Sequence, residues 1–374
     1  MTADLSNWRE SPHNEWAFQH IEEILSTHVI KRAEGSSALG SGAEKSFDGF
    51  KIQSGASPEL DLAGFQEFTK TDGTVILHNG KIVHEFYDHK NERTSKHILM
   101  SMTKSVTGLV TGILASQGRI DISKLIKHYV PEASSIFDIV TVQQCLDMNS
   151  GIKYDDGSHE YRAAAGWNPL RGDESHRTLH DFLSHVQTHT DGPGAGFNYA
   201  SLNTDLLGWA LERATGKKLA DLISELLWQP MGAESDAFMA VDSEGSARAA
   251  GGLCATVRDV ARIGQLLADG GRDIVASSWI EDMMHNGDKE AFAKGSWSPA
   301  FRDDFDSLAY RDCWLANSDT NIFCGLGIHG QMLMVDRTNN IVLAKTSSQS
   351  VSVDFAKVKL VVQAFKEFQR ILTA

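Results

Sequence analysis

Four consecutive residues of the 374-residue chain, Ser101-Met102-Thr103-Lys104, have the types and the spacing needed for nucleophilic catalysis. A separation of three places Ser101 and Lys104 on one face of a helix, where their side chains can meet. The start of a helix offers free N–H groups and the positive end of the helix dipole to a developing oxyanion. A lysine held against apolar neighbours has a lowered pKa and can act as a base. A helix-capping serine followed by an exposed lysine would give the same four residues, so the tetrad alone leaves both interpretations open.

A glycine-rich stretch at residues 191–197 leads into Tyr199, directly before a predicted helix. A tyrosine beside Lys104 can pass a proton between the serine and a leaving group, provided that the ammonium lowers the pKa of its phenol. A half-buried tyrosine that only packs is the alternative. Tyr199 is therefore a candidate third catalytic residue.

A second glycine-dense stretch, residues 325–331, introduces a predicted strand near the end of the chain. Glycine lets a substrate backbone or an acyl oxygen approach closely, and the N–H of Ile328 can join that of Ser101 in an oxyanion hole. His329 lies in the same stretch. It either lines the substrate pocket or is a strand histidine whose ring binds backbone.

Four histidines, His176, His180, His185 and His189, form a further series with helical spacing. Pairs on one helix face invite a zinc interpretation, but no cysteine or close set of carboxylates completes a ligand set. We interpret the series as a solvated helical face, and we expect neither a metal nor another cofactor.

Composition limits the classes of partner and the compartment. The formal net charge of -14 opposes a nucleic-acid or anionic-membrane partner, because both require a basic surface. The first eight residues lack the basic and apolar regions of a secretory signal, and no apolar run reaches membrane-spanning length. The scattered cysteines form no CxxC pair and are expected to be small, reduced core residues: Cys145, Cys254, Cys313 and Cys324. These features predict a cytoplasmic protein.

Apolar periodicity and turn residues predict the elements that must position these side chains. Two β-rich runs, residues 74–78 and 81–87, flank Asn79-Gly80 and predict a hairpin. Helices with apolar faces are predicted over residues 15–30, 102–117, 256–267 and 354–372, and strands over residues 310–316, 327–335 and 341–346.

Strand signals at both ends of the chain, with helices between them, predict the α+β class. We expect an α/β domain built from residues 1–118 and 256–374. Residues 119–255 are expected to form an inserted helical domain.

The three catalytic stretches, in this order, resemble those of the serine β-lactamase and penicillin-binding superfamily. Within it the chain is most similar to the 6-aminohexanoate-dimer (nylon-oligomer) hydrolases and related class C-like esterases. The similarity covers nearly the whole chain, with matching stretches at residues 8–18, 199–205, 250–262 and 325–331. The resemblance implies a β-lactamase-like fold, with an antiparallel sheet flanked by N- and C-terminal helices and an inserted, mostly helical domain.

The resemblance also implies a role for individual residues. These roles are nucleophile for Ser101, base for Lys104, proton relay for Tyr199, and oxyanion N–H donors for Ser101 and Ile328. Trp167 would form a wall of the cleft. Ser201 stands where β-lactamases carry the asparagine of Tyr-x-Asn, and is a candidate substrate contact.

One departure from the superfamily pattern concerns the group that binds the substrate carboxylate. Where β-lactamases carry Lys-Thr-Gly, this chain has Gly325-Leu326-Gly327, and Lys345 lies in the following strand. Without that cation, β-lactams and D-Ala-D-Ala peptides are not the expected substrates.

A second departure concerns the loop before Trp167. In the nylon-oligomer hydrolases a tyrosine and an aspartate of this loop help to hold the amine and the amide of the dimer. Here the loop is shorter, with Arg162 near the acid and Ser158 near the tyrosine. Glu160 and Tyr161 are the candidates to replace them, and a cation at Arg162 would repel an amine.

We therefore expect a serine hydrolase that acts through an acyl-enzyme at Ser101 on small esters, with linear amides such as 6-aminohexanoate oligomers as weaker substrates. The alternatives are a β-lactamase or D-Ala-D-Ala peptidase, a transacylase, and a non-catalytic binding protein on the same scaffold. The expected partner is a small ester or amide, and a homodimer is left open.

Overall fold

The computed structural model describes residues 2–374 except residues 44, 54–58, 89, 173, 175 and 176. In chain order the strands are β1 (Thr27–Ile30), β2 (Ile52–Gln53), β3 (Glu59–Leu60), β4 (Thr71–His78), β5 (Lys81–Tyr87), β6 (His97–Ile98), β7 (Ala237–Ala240), β8 (Leu253–Ala255), β9 (Leu308–Arg311), β10 (Trp314–Asn317), β11 (Ile322–Gly327), β12 (Gln331–Asp336) and β13 (Ile341–Ser347). The α-helices are α1 (Asn14–Ala17), α2 (Leu62–Phe68), α3 (Met102–Ser116), α4 (Val142–Leu146), α5 (His159–Ala164), α6 (Leu179–His185), α7 (Ser201–Thr215), α8 (Leu219–Ile223), α9 (Val257–Ala268), α10 (Ser277–His285), α11 (Lys289–Lys294) and α12 (Phe355–Thr373). Within the described ranges, no helix combines the length and the apolar character needed to cross a membrane.

The largest sheet joins strands from both ends of the chain. Its seven strands follow the order β5-β4-β13-β12-β11-β10-β9, and all neighbours are antiparallel. The predicted hairpin is confirmed, because β4 and β5 pair across Asn79 and Gly80, whose φ angles of 52° and 75° suit a tight two-residue turn. Helix α9 packs on β13, β12 and β4, while α3 packs against β10, β11 and β12. Antiparallel sheets and separate helices confirm the predicted α+β class.

A smaller sheet connects the middle of the chain to its N-terminal part. Its order is β1-β7-β8-β6, and β7 and β8 lie within residues 119–255, where the sequence predicts a helical domain. The same stretch contains helices α4 to α8. The division into two domains remains a prediction, to which the structure adds a sheet shared between the two predicted parts.

The predicted helix over residues 15–30 is wrong beyond Ala17. Helix α1 ends at Ala17, and residues 27–30 form β1, which pairs with β7. The β-branched side chains of Thr27, Val29 and Ile30 suit a strand, and pairing with a distant segment outweighs the helical spacing of the apolar residues.

The predicted strand over residues 310–316 is a hairpin, β9 and β10, turning at Asp312 and Cys313. Both residues have positive φ angles, 51° and 67°. The N–H of Cys313 donates to the carbonyl of Leu146 at 3.0 Å, and Gln143 donates to the Asp312 carboxylate at 2.7 Å. These contacts with α4 fix the turn, and the local sequence does not predict them.

The strand predicted over residues 327–335 also differs from the structure. Residues 328–330 form a 3-10 turn, so the strand begins only at Gln331, as β12, and the preceding strand β11 was not predicted.

Helix α3 lies at the centre of the molecule. Every residue from Met102 to Leu114 is buried, although the sequence predicts a single apolar face. Its buried polar side chains bind the segment before β8, for example through Thr107, which donates to the carbonyl of Ala249 at 3.1 Å. At Gly108 the helix touches the β9–β10 turn, where a Cβ atom would lie 2.2 Å from the carbonyl oxygen of Asp312.

We predict that Gly108→Ala lowers the free energy of unfolding by about 2 kcal/mol, although alanine favours helices, because the added methyl group overlaps backbone. Ser116→Ala, at the exposed end of the same helix, should change it by less than about 0.5 kcal/mol. Urea unfolding of the three proteins measures both effects. A Gly108→Ala protein as stable as the wild type would contradict the close approach of α3 and the turn.

Candidate active site

Ser101 directly precedes α3, and the residue before it has an unusual backbone conformation. Met100 is buried, and its φ angle is 49°, a left-handed value that a non-glycine residue adopts at an energetic cost. This conformation turns the chain from the end of β6 into α3 and presents the Ser101 hydroxyl at the first turn. Nothing in the sequence around Met100 predicts this conformation.

Lys104 lies beside Ser101 with its ammonium group out of water. The lysine Nζ donates to Ser101 Oγ at 3.1 Å and to the carbonyl of Ala250 at 2.7 Å, and the side chain is 1% exposed. Burial is the main cause that lowers the pKa of Lys104 to about 8, with the positive charge of Arg248 acting in the same direction. The predicted meeting of the serine and the lysine on one helix face is confirmed by this geometry, and the alternative of an exposed lysine is wrong.

The Ala250 carbonyl that binds Lys104 is itself held by a buried ionic network. The N–H of Ala250 donates to Asp205 at 2.8 Å, and the other carboxylate oxygen of Asp205 accepts from Tyr161 at 2.5 Å and from Arg248. The three side chains of the network are at most 5% exposed. The network therefore fixes the position of the carbonyl that orients Lys104.

Tyr161 belongs to this network and not to the cleft surface. Its side chain is fully buried, and its hydroxyl donates to Asp205 and accepts from Arg248. The expectation that Tyr161 contacts substrate is corrected, because no part of the ring is accessible. Ser158 caps α5 and binds the Tyr154 hydroxyl at 2.9 Å, and neither it nor Glu160 lines the cleft that the described residues form.

Tyr199 lies on the other side of the lysine. Its ring centroid is 4.8 Å from Lys104 Nζ, and its side chain is half-buried and lines the cleft next to Ser101. Burial raises the pKa of the Tyr199 phenol, and a hydrogen bond with Ser101 opposes this shift without reversing it. The expectation of an acidified phenol is therefore wrong: the phenol stays protonated, and Lys104 is the group with a pKa suited to a base.

The backbone of Ile328 approaches the start of α3 because Gly327 has no side chain. A Cβ atom at Gly327 would lie 2.3 Å from the carbonyl oxygen of Leu99, two residues before Ser101. Among the described residues, the N–H groups of Ser101 and Ile328 donate to no protein acceptor. Two free N–H groups beside the serine hydroxyl can bind an oxyanion.

His329 follows Ile328, and its ring contacts the backbone of Gln349 and the ring of Phe18. Its φ angle is 63°, its Nδ1 is 2.7 Å from the carbonyl of Gln349, and its ring meets Phe18 edge to face at 5.1 Å. The side chain is 4% exposed, and the residue borders the outer part of the cleft. Of the two sequence interpretations, the ring bound to backbone describes the contacts that the structure shows.

The cleft beside Ser101 has an apolar arm. Cys313 and Cys324 line it together with aromatic and aliphatic side chains: Phe197, Phe292, Trp297, Tyr310, Leu315 and Leu326. All four cysteines are buried and free, as the sequence predicts. Because its walls are mainly apolar, the arm favours an uncharged group over a charged one.

A polar arm leads away from Ser101 in another direction. It is bordered by Trp167, Ser201, Asp156 and Arg162. The hydroxyl of Ser201 donates to Asp156 at 2.6 Å, and its N–H donates to the same carboxylate at 2.9 Å. The predicted positions of Trp167 and Ser201 at the cleft agree with this arrangement, and Ser201 also fixes Asp156.

Asp156, Asp205, Arg248 and Arg9 were not among the candidate residues from the sequence. Asp205 is the last residue of the motif at 199–205, and Arg248 precedes the motif at 250–262 by two positions. Arg9 likewise lies within the matching stretch at residues 8–18, and Asp156 lies in the loop before Trp167, so location in or near a matching stretch or loop is the only signal that marked these residues. Their importance comes from contacts between segments far apart in the chain.

The described histidines of the series at residues 176–189 have separate contacts and do not form one site. His180 stacks on Trp209 with ring centroids 4.0 Å apart, and His189 binds Asp191 at 2.8 Å. His185 contacts the backbone of Asp181, while His176 lies outside the described residues. Within the described part of the chain, no group of His, Cys, Asp and Glu side chains is arranged to bind a metal.

The antiparallel sheet, the central helix α3 and the cluster of Ser101, Lys104 and Tyr199 are the parts expected of a serine hydrolase with a β-lactamase-like fold. A family model described as Beta-lactamase matches residues 65–365, and the chain therefore belongs to the beta-lactamase family. This result confirms the β-lactamase-like fold and the enzyme class that the sequence predicts.

Individual relatives agree with this assignment. A 6-aminohexanoate-dimer hydrolase of Paenarthrobacter ureafaciens is 33% identical over 356 residues, which cover 92% of this chain and 88% of that protein. A solved structure of a Bacillus anthracis protein assigned as a 6-aminohexanoate-dimer hydrolase has a TM-score of 0.88 and 27% identity, covering 99% of this chain and 98% of the other. A Bacteroides dorei structure assigned as a beta-lactamase, with 16% identity and a TM-score of 0.63 over 84% of this chain and 97% of the other, shares the fold.

Because His329 is buried, we predict that the free energy of unfolding falls in mild acid. Its pKa is lowered from 6.5 to about 4, first by burial. The unfolded chain takes up this proton below pH 6.5 and the folded protein only near pH 4, so protonation favours unfolding between these values. The wild type should lose about 2 kcal/mol from this group between pH 7 and pH 5.

His329→Asn tolerates the left-handed backbone and removes the ring. The variant should show a smaller fall in unfolding free energy between pH 7 and pH 5, measured by urea titration. An equal fall in both proteins would show that His329 is not the group responsible.

Proposed function

We propose that the protein hydrolyses small esters and linear amides through an acyl-enzyme at Ser101. The observation that carries the proposal is the hydrogen bond between Lys104 Nζ and Ser101 Oγ, at 3.1 Å, formed by a lysine whose pKa is lowered to about 8. An amine with this pKa is neutral in about a tenth of the molecules at pH 7 and in about half at pH 8, and the neutral form can accept the serine proton.

In the first half-reaction, Lys104 takes the proton of Ser101 as Oγ forms a bond to the substrate carbonyl carbon. The carbonyl oxygen becomes an oxyanion and binds the N–H groups of Ser101 and Ile328, near the N-terminal end of α3. The bond to the leaving alcohol or amine then breaks. Tyr199, 4.8 Å from Lys104 Nζ by its ring centroid, gives its phenolic proton to the leaving group and recovers one from the ammonium.

In the second half-reaction, water attacks the acyl carbon and loses a proton to Lys104 by way of Tyr199. The bond from Oγ to the acyl carbon breaks, the carboxylic acid leaves, and Ser101 recovers its proton. The raised pKa of Tyr199 suits a relay that is protonated between steps. Because the phenol is not ionised at rest, the lysine and not the tyrosine begins the reaction.

Two observations bear on the substrate. The relative that is 33% identical is a 6-aminohexanoate-dimer hydrolase, which supports linear amides beside esters. Against β-lactams, Lys345 lies fully buried in β13 and donates to Ser347, so it offers no cation to a substrate carboxylate at the third motif. The open cleft and the intact Ser101, Lys104 and Tyr199 oppose the alternative of a non-catalytic binding protein.

We predict that a fluorophosphonate probe adds to the wild type once, on the peptide that contains Ser101. Ser101→Ala should give no adduct and should lower ester hydrolysis by at least about a thousandfold. Ser123→Ala, at an exposed serine far from the cleft, is the matched control and should behave as the wild type does. Intact-protein and peptide mass spectrometry measure the adduct. A wild type that forms no adduct, or forms it on another residue, would refute the acyl-enzyme at Ser101.

The lowered pKa of Lys104 predicts the pH dependence of the reaction. The base must be neutral, so kcat/KM for an uncharged ester should rise with pH and level off, with an apparent pKa near 8. Initial rates between pH 6 and pH 10 measure the profile. A rate that falls as the pH rises through 8 would contradict Lys104 as the base.

A further inference from the structure

The polar arm of the cleft continues from Ser101 to a second, outer part. Arg162, Ile328 and Ser352 border both parts, and Arg9 and Glu10 border only the outer part. Arg162 therefore borders both the inner part, which contains Ser101, and the adjacent outer part, which Arg9 also borders. The N-terminal segment that carries Arg9 is fixed there, since Trp8 is 1% exposed and donates from Nε1 to the carbonyl of Trp167 at 3.0 Å.

Both guanidinium groups are held by neutral acceptors. Arg9 donates to the carbonyl of Trp167 at 3.3 Å and to the side chain of Asn168, and it lies over the Trp8 ring at 4.9 Å. Arg162 donates from Nε to the backbone carbonyl of Asp156 at 3.1 Å. Among the described residues, neither arginine forms an ion pair with a carboxylate, whereas Arg248 behind them is neutralised by Asp205.

The carboxylates near these arginines have other partners or positions. Asp156 accepts two hydrogen bonds from Ser201, and Glu10 lies at the outer border beside Arg9. Neighbouring charges act on both arginines in opposite directions. After burial as the first cause, Arg162 and Arg248 lower the pKa of Arg9 while Glu10 raises it. Burial and then Arg248 lower the pKa of Arg162, while Asp155 and Asp156 raise it. An anion bound near Arg9 and Arg162 would reduce the repulsion among the guanidinium groups.

We propose that Arg162 and Arg9 form a subsite for a carboxylate of the substrate, so that the enzyme prefers esters or linear amides that carry an anionic group. This inference rests on the proposed hydrolysis at Ser101. The preferred substrate has an apolar segment in the apolar arm and a carboxylate in the polar arm, with the scissile carbonyl between them. Guanidinium groups suit this task because they bind a carboxylate through paired N–H groups. The subsite supplies, from a different direction, the cation that the third motif lacks.

The test compares esters of equal length that differ in charge. The first set contains p-nitrophenyl esters whose acyl chain ends in a carboxylate, a methyl ester or an ammonium group. The second set places the same three groups on the alcohol half of a butyrate ester. In one of the two sets, the wild-type kcat/KM for the carboxylate ester should exceed that for the neutral methyl ester by at least about tenfold. The ester with the ammonium group should have the lowest kcat/KM of that set.

Substitutions at the two arginines locate the effect. Arg162→Gln and Arg9→Gln should each lower the ratio of anionic to neutral kcat/KM toward one, and Arg162→Lys should keep part of it. Arg119→Gln, at an exposed arginine remote from the cleft, should keep the wild-type ratio. The proposed subsite would be refuted if the wild type did not prefer the anionic ester in either set. It would also be refuted if Arg162→Gln and Arg9→Gln both kept the wild-type ratio of anionic to neutral kcat/KM.

The failure of this inference can be distinguished from the failure of the proposed function. If neutral esters are cleaved in a manner that depends on Ser101 while the charge series shows no anion preference, only the subsite is refuted. If no ester is cleaved, calorimetric binding of 4-phenylbutyrate decides the subsite independently. Binding to the wild type that is weakened at least about tenfold in Arg162→Gln supports it, and no binding to the wild type refutes it.

Discussion

The burial of the Lys104 ammonium is the constraint on which the rest of the site depends. A charge removed from water must be compensated, and here the compensation comes from the Ser101 hydroxyl, the Ala250 carbonyl and the carboxylates of Asp156 and Asp205. The balance leaves the pKa of Lys104 near 8, low enough for a base and high enough for the side chain to regain a proton. The position of the Ala250 carbonyl in turn requires the buried contacts of Asp205 with Tyr161 and Arg248.

Backbone contacts at two glycines place the remaining parts of the site. Gly108 lets α3 touch the β9–β10 turn, and Gly327 lets the end of β11 touch the backbone just before Ser101. Each contact is closer than any side chain allows, so the distance between the serine and the Ile328 N–H is set by packing of main chain on main chain. The left-handed backbone of Met100 belongs to the same arrangement.

The net charge of the whole chain does not describe the local charge of the cleft. The chain has a formal net charge of -14, which disfavours large anionic partners. Within the cleft, however, Arg9 and Arg162 face the same space without a paired carboxylate among the described residues. The lost lysine of the third motif therefore does not by itself exclude an anionic substrate.

The sequence by itself determined the Asn79-Gly80 hairpin, helix α3, and the meeting of Ser101 with Lys104, because each follows from spacing within a few residues. It also determined the α+β class, through the order of strand and helix signals along the chain. Only the tertiary structure decided that the Tyr161 ring is buried on Asp205, that burial raises the pKa of Tyr199, and that Arg9 reaches the cleft beside Arg162. It also decided that residues 27–30 pair as a strand. These outcomes depend on which distant segments exclude water from a side chain, and local spacing contains no information about desolvation or about partners far away in the chain.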